Sequence, residues 1–162
     1  MMARAWVFGD NVSTDYIIPG RFNITNDPNE LRKHVFKYVR PEFAGTVKAG
    51  DVVVGGNNFG CGSSREHAAI VVRESGVHLI APSYGWIFRR NCINLGVLPL
   101  PSDGPVRVRD GAEVALDLDK GLLRDLETGG TFQLRPISKV VLDIHGAGGL
   151  VGYLNKYNAY RL

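Results

Sequence analysis

Val52-Val53-Val54, Val77-His78-Leu79-Ile80-Ala81 and Val97-Leu98-Pro99-Leu100 are three short, mostly apolar runs, and the residues between them decide the fold. A glycine-rich loop, Asn57 to Gly62, and a helical pattern from Arg65 to Ser75 that stops at Gly76 separate the first two. A second helical pattern, Tyr84 to Leu95, stops at Gly96 before the third. Strand, helix, strand, helix, strand with connections this short predicts a parallel βαβαβ core with right-handed crossovers. Ligands in such sheets sit beyond the carboxyl ends of the strands, which is where the loop from Asn57 to Ser64 must lie.

The flanks read differently. Strand candidates at Ala5 to Phe8, Val106 to Val108, Val114 to Leu118 and Thr131 to Leu134 are spaced by Asp-Gly, Lys-Gly and Gly-Gly turns, so a mixed or antiparallel sheet is added to the parallel one. Lys139 to His145 reads as a helix, Gly146 to Gly149 interrupts it, and Leu150 to Tyr157 reads as a final short helix. The fold class is therefore α/β. With 162 residues, 44% of them hydrophobic and 22% charged, and no linker or repeat, the chain is expected to form one domain over 1–162.

Charge and cysteine usage narrow the function classes. The net charge is +3 and the basic residues are dispersed, so nothing points to nucleic acid. Cys61 and Cys92 have neither CxxC spacing nor a disulfide framework around them, and no metal ligand set is read from this chain. A reducing cytoplasm is the expected compartment. No signal peptide or membrane segment is expected either, since an acid appears by Asp10 and no run approaches the length of a span.

Gly60-Cys61-Gly62-Ser63-Ser64-Arg65-Glu66-His67 carries the chemistry. A loop that feeds directly into a helix leaves first-turn N–H groups pointing outward at the positive end of the helix dipole, which is an anion site. Arg65 adds a planar fork of donors suited to a carboxylate, and Ser63 and Ser64 add hydroxyls. The competing reading is purely structural, because Ser63 and Glu66 have capping-box spacing. That reading leaves Gly60, Gly62, Ser64 and Arg65 without a purpose. A serine hydrolase is disfavoured, since position 65 is Arg where a nucleophile elbow needs Gly. A Cys61 and His67 pair is disfavoured because His67 falls a turn into the helix, with no acid fixed nearby to orient it.

The octapeptide is similar to the signature of the aconitase swivelling domain, which in isopropylmalate dehydratase and related enzymes is a separate small subunit. Phe8-Gly9-Asp10-Asn11-Val12-Ser13-Thr14-Asp15 with Ile17-Ile18-Pro19-Gly20 resembles the family's N-terminal element. Gly50 to Val54, Ser83 to Asn91, Asn94-Leu95-Gly96, Gly148-Gly149-Leu150 and Tyr153-Leu154 match in order, so the resemblance covers nearly the whole chain.

The resemblance implies a three-layer β/β/α swivelling domain in a hydro-lyase that removes and re-adds water on a hydroxylated di- or tricarboxylate. It makes Ser63 the base, as an alkoxide, and gives Ser64 and Arg65 to a substrate carboxylate. Asp15 resembles a carboxylate that pairs with a histidine of the other domain; read alone, it is a turn cap. The family's [4Fe-4S] cluster needs three cysteine ligands, and this chain has two cysteines in all, so the cluster is expected on a large partner subunit.

Pro19-Gly20-Arg21-Phe22-Asn23-Ile24-Thr25 occupies the place of the family's substrate-recognition loop. Familiar members carry tyrosine, leucine and arginine there, followed by methionine or threonine; here Phe22, Asn23, Ile24 and Thr25 stand instead. Arg21, just ahead, either substitutes for the missing arginine in binding substrate or faces solvent. The resemblance favours 3-isopropylmalate and 2-isopropylmalate interconversion in leucine biosynthesis, with homoaconitase and dimethylmalate or citramalate dehydratases as alternatives. A non-catalytic carboxylate-binding module is the rival from another class.

Overall fold

The computed structural model describes residues 2–25 and 27–157. In chain order its elements are β1 (Met2–Val7), α1 (Thr14–Ile17), a 3₁₀ turn (Gly20–Phe22), α2 (Pro28–Arg32), α3 (Phe43–Thr46), β2 (Val52–Val54), α4 (Glu66–Ser75) and β3 (His78–Ala81). There follow α5 (Trp86–Asn94), β4 (Pro99–Pro101), β5 (Glu113–Asp117), β6 (Leu122–Asp125), β7 (Thr131–Gln133), α6 (Lys139–Gly146) and α7 (Leu150–Tyr157).

The strands run in the order β4-β3-β2-β1-β5-β6-β7. Ala5 to Val7 pair parallel with Val52 to Val54, which pair parallel with His78 to Ile80; β4 extends this part on the other side of β3. The first half of β1, Met2 to Arg4, pairs antiparallel with β5, and β6 and β7 continue as a meander. One strand thus joins the expected parallel core to the expected antiparallel addition.

Side-chain alternation along the parallel strands separates two cores. Trp6, Val53, Leu79 and Ala81 pack with Ala68, Ala69, Val72, Phe88 and Cys92 of α4 and α5. Ala5, Val52, Val54, Ile80 and Leu100 point the other way, onto Val114, Leu123 and Leu134 of the antiparallel part. Helices cover one face of the parallel strands and strands the other, which is the three-layer β/β/α arrangement. A bridge between Ser102 and Leu134 brings the β4 end of the strand order against the β7 end.

Local readings shift for identifiable reasons. The last parallel strand is Pro99–Pro101, not Val97 to Leu100, because the amide of Val97 bonds to Cys92 O (2.9 Å) and closes α5. Its prolines are tolerated because β4 pairs along the β3 side. Val106 to Val108 is not a strand: Val106 and Val108 are buried in the second core around an exposed Arg107, a period-two burial pattern without a ladder partner. β6, with Arg124 and Asp125 in it, lacks the β-branched run that marks a strand and is held by partners on both sides.

Asp51 anchors the opening of the parallel layer. It is buried, and its carboxylate accepts from Arg4 N (3.1 Å), Trp6 Nε1 (3.0 Å) and Lys48 N (3.0 Å), tying β1 and the chain before β2 to one side chain. Truncation leaves the buried Trp6 indole N–H without an acceptor and removes the acceptor of the partly buried amides of Arg4 and Lys48. Asp51→Ala is expected to lower unfolding free energy by about 2–4 kcal/mol, read from the urea midpoint at unchanged slope.

Candidate functional site

Past the carboxyl ends of β1, β2 and β3 the backbone goes on pairing. The loop after β2 runs between the loops after β1 and β3, with parallel bridges Ser13 to Cys61 and Phe59 to Tyr84. Gly60 N donates to Val12 O (2.7 Å) and Thr14 N to Cys61 O (2.8 Å) on one side. On the other, Phe59 N donates to Ser83 O (3.0 Å) and Gly85 N to Phe59 O (2.8 Å). Two glycines make this approach possible: a Cβ at Gly85 would stand 2.4 Å from Gly60 O, and one at Gly60 (φ +76°) would enter the Phe88 ring. The loop from Asn57 to Gly62 therefore lies where the sheet rule puts a ligand site.

Ser63 emerges from this loop, exposed, on the rim of an open cleft shared with Asn58, Cys61, Trp86 and Ile87. It is not the helix cap. α4 starts at Glu66, its N-cap is Arg65, and no side chain caps it, so the capping-box reading of Ser63 and Glu66 fails. The Ser63 hydroxyl instead lies 3.1 Å from Thr14 Oγ1, and Thr14 Oγ1 also reaches Ser63 O (3.3 Å). Thr14 is fully buried. Ser64 is exposed one residue on, and among the described residues no group accepts from the amides of Ser64 or Arg65, so these N–H groups remain available to an anion at the start of α4.

Arg65 and Asp15 form an ion pair across the seam between α1 and the serine loop. The guanidinium also lies against Gly20, where a Cβ would stand 3.1 Å from Nη2, so the turn after α1 closes over it. Asp15 is not a turn cap, because Ser13 holds that place: its hydroxyl accepts from Tyr16 N (3.3 Å). Ser63, Ser64, Arg65 and Asp15 are thus brought together from two segments about fifty residues apart, with Thr14 beneath them. Thr14 was not singled out in the sequence, where it is one threonine between two polar neighbours. Only the adjacency of the loops after β1 and β2 reveals it.

The 3₁₀ turn that follows α1 stands beside this group. Arg21 is exposed, and its guanidinium lies over the rings of Phe22 (4.9 Å) and Tyr38 (4.7 Å). Phe22 lies flat on His34, with ring centroids 3.9 Å apart, and desolvation with the nearby Lys37 charge holds the His34 imidazole below its ordinary pKa. Asn23 ends the 3₁₀ turn through its N–H to Gly20 O (3.1 Å), and Thr25 Oγ1 accepts from Asp27 N (3.1 Å) ahead of α2. Ile24 is 91% exposed between them.

Neither cysteine fits an iron-sulfur cluster held by this chain. Three thiolates are required and two cysteines exist; Cys92 is buried in the core beneath α5, where desolvation pushes its thiol far up. Among the described residues no helix is long and apolar enough to cross a membrane.

Comparison with known proteins places these features in a family. The aconitase C-terminal domain profile matches residues 3–104. The 3-isopropylmalate dehydratase small subunit 1 of Archaeoglobus fulgidus is 45% identical over 94% of this chain and 95% of its own length. The methanogen homoaconitase small subunit of Methanothermobacter thermautotrophicus is 46% identical over 94% of this chain and 89% of its own. A crystal structure of 3-isopropylmalate dehydratase (leuD) from Methanocaldococcus jannaschii superposes with a TM-score of 0.92 at 41% identity, covering 99% of this chain and 96% of that one. With a profile match over more than half the chain and full-length relatives well above 30% identity, this chain belongs to the aconitase C-terminal domain family.

Proposed function

We propose that this chain, as a single domain in the cytoplasm, is the small subunit of a hydro-lyase of the isopropylmalate dehydratase type, completed by a large partner chain. The observation that carries the reading is the placing of an exposed Ser63 hydroxyl beside Arg65 and the open amides at the start of α4. Full-length similarity to proteins named as small subunits supports the partner. Two unpaired thiols support a reducing compartment.

Dehydration of a hydroxylated dicarboxylate begins with removal of a proton from carbon next to a carboxylate. Ser63, as the alkoxide, takes that proton and becomes the hydroxyl; on hydration it returns it. Negative charge gathers on the substrate carboxylate as the C–H bond breaks. Arg65 and the amides of Ser64 and Arg65 oppose it with donors already fixed in place. Asp15 keeps the guanidinium oriented toward the loop and is available to a histidine of the partner. We assign departure of the hydroxyl group to the partner chain, which we infer carries the [4Fe-4S] cluster, since two cysteines cannot furnish three thiolates.

The recognition turn bears on the substrate's far end. Arg21 is the turn's candidate for a second carboxylate, but its charge is engaged by the Phe22 and Tyr38 rings, and Ile24 stands exposed on the same turn. Phe22 stacks on His34, Asn23 closes the 3₁₀ turn and Thr25 accepts from Asp27 N, so these three hold the turn in shape. An apolar γ-substituent, as in isopropylmalate, suits this turn better than the carboxylate of homocitrate.

Ser63→Ala in the reconstituted complex should reduce kcat by about 10²- to 10⁴-fold with assembly unchanged; near-normal turnover would remove Ser63 as base. Arg65→Lys should lower kcat/KM by about 10- to 100-fold, since an ammonium cannot grip a carboxylate through a two-pronged fork. Among isopropylmalate, homocitrate, citrate, citramalate and dimethylmalate, the highest kcat/KM is expected with isopropylmalate. A preference for homocitrate would reassign the turn. A lone chain that binds dicarboxylates and never associates with an iron-sulfur subunit would sink the enzyme reading.

A further inference from the structure

We propose that Thr14 is a positioning residue that sets the proton affinity of Ser63. The inference rests on the reading of Ser63 as the base and adds a group that touches no substrate. Thr14 is fully buried, and its backbone is fixed twice: its N–H donates to Cys61 O (2.8 Å) and its carbonyl accepts from Ile18 N (2.9 Å). A β-branched side chain on such a backbone has little rotameric freedom. Its hydroxyl faces two acceptors of one residue, Ser63 Oγ at 3.1 Å and Ser63 O at 3.3 Å.

The Thr14 hydroxyl has a single proton, so its donation depends on the state of Ser63. When Ser63 is protonated, its O–H donates to Thr14 Oγ1, and the Thr14 proton turns to Ser63 O. When Ser63 has lost its proton, the Thr14 proton turns to Ser63 Oγ, where it meets an anion. Rotation about one C–O bond exchanges the two patterns and no heavy atom need move. A hydrogen bond to an ionised oxygen is roughly twice as strong as one to a neutral oxygen. Thr14 therefore favours the alkoxide, and it does so from below the loop, leaving the exposed side of Ser63 open to substrate. A structural staple is the bland alternative, and the backbone bonds already supply one.

Two measurements test this, one independent of turnover. In the full chain carrying Ser63→Cys and Cys61→Ser, the introduced thiol is titrated by its pH-dependent alkylation with iodoacetamide. Cys92, buried and pushed up by desolvation, stays silent. Adding Thr14→Val should raise the midpoint by about one pH unit, and Thr14→Ser in its place should bring it back. In the reconstituted complex with Ser63 intact, Thr14→Val should lower kcat by about 10- to 100-fold and move the alkaline rise of kcat upward by a similar unit, with KM within about threefold. Thr14→Ser should recover most of both.

If Thr14→Val fails to fold, Thr14→Ala removes the hydroxyl without a clash and is expected to give the same shifts. An unmoved thiol midpoint, or a fall in kcat that Thr14→Ser does not recover, overturns the proposal. A raised midpoint in a protein whose parent complex has no hydro-lyase turnover supports the Thr14 coupling and overturns the functional reading instead.

Discussion

The pairing of backbone beyond the ends of β1, β2 and β3 is the constraint on which the site depends. Loops usually leave main-chain groups to water, but here the loop after β2 donates to and accepts from the loops on both sides, and the parallel ladder continues where the strands have formally ended. A serine on a free loop would sample many positions. Ser63 is instead two residues from the Cys61 bridge, on a segment whose neighbours are in register with it. The closeness needed for this permits no side chain at Gly60 or Gly85.

The other end of the same strands is fixed by charge. Asp51 gathers donors from β1 and from the turn before β2, so the parallel strands are pinned by a buried carboxylate at their start and by loop pairing at their finish. Between these pins the alternation of side chains does the rest. Trp6 and Val53 go to the helices, and Ala5 and Val54 to the antiparallel strands. β1 takes both kinds of partner, parallel along its second half and antiparallel along its first, so it is the element through which the two layers are joined.

Much of this was legible in the sequence, and the boundary of legibility is physical. The βαβαβ core could be read because β-branched runs and glycine-stopped helices report local preferences, and because the serine loop had to lie past a strand end. Val106 to Val108 misled because period-two burial marks a strand only when another strand is available, and the partner is a matter of topology. β6 escaped because its stability comes from β5 and β7 rather than from Leu122 to Asp125 themselves. At the site, Ser63, Ser64 and Arg65 stood out through spacing. The competing cap reading of Ser63 could not be dismissed from sequence, because its hydroxyl turns to Thr14 and no local pattern records a contact across forty-nine positions. The engagement of Arg21 by Phe22 and Tyr38 was hidden for the same reason.

The ion pair between Arg65 and Asp15 has a consequence for how an anion enters. Asp15 is more than half exposed, and contacts of this type between solvated partners are worth about 0.2–1 kcal/mol. An unpaired arginine samples many rotamers, and Asp15 holds Arg65 to one across the seam between α1 and the serine loop. If Arg65 binds a carboxylate as proposed, a pair this weak is exchanged for the incoming anion at small cost, and the guanidinium starts from an ordered position.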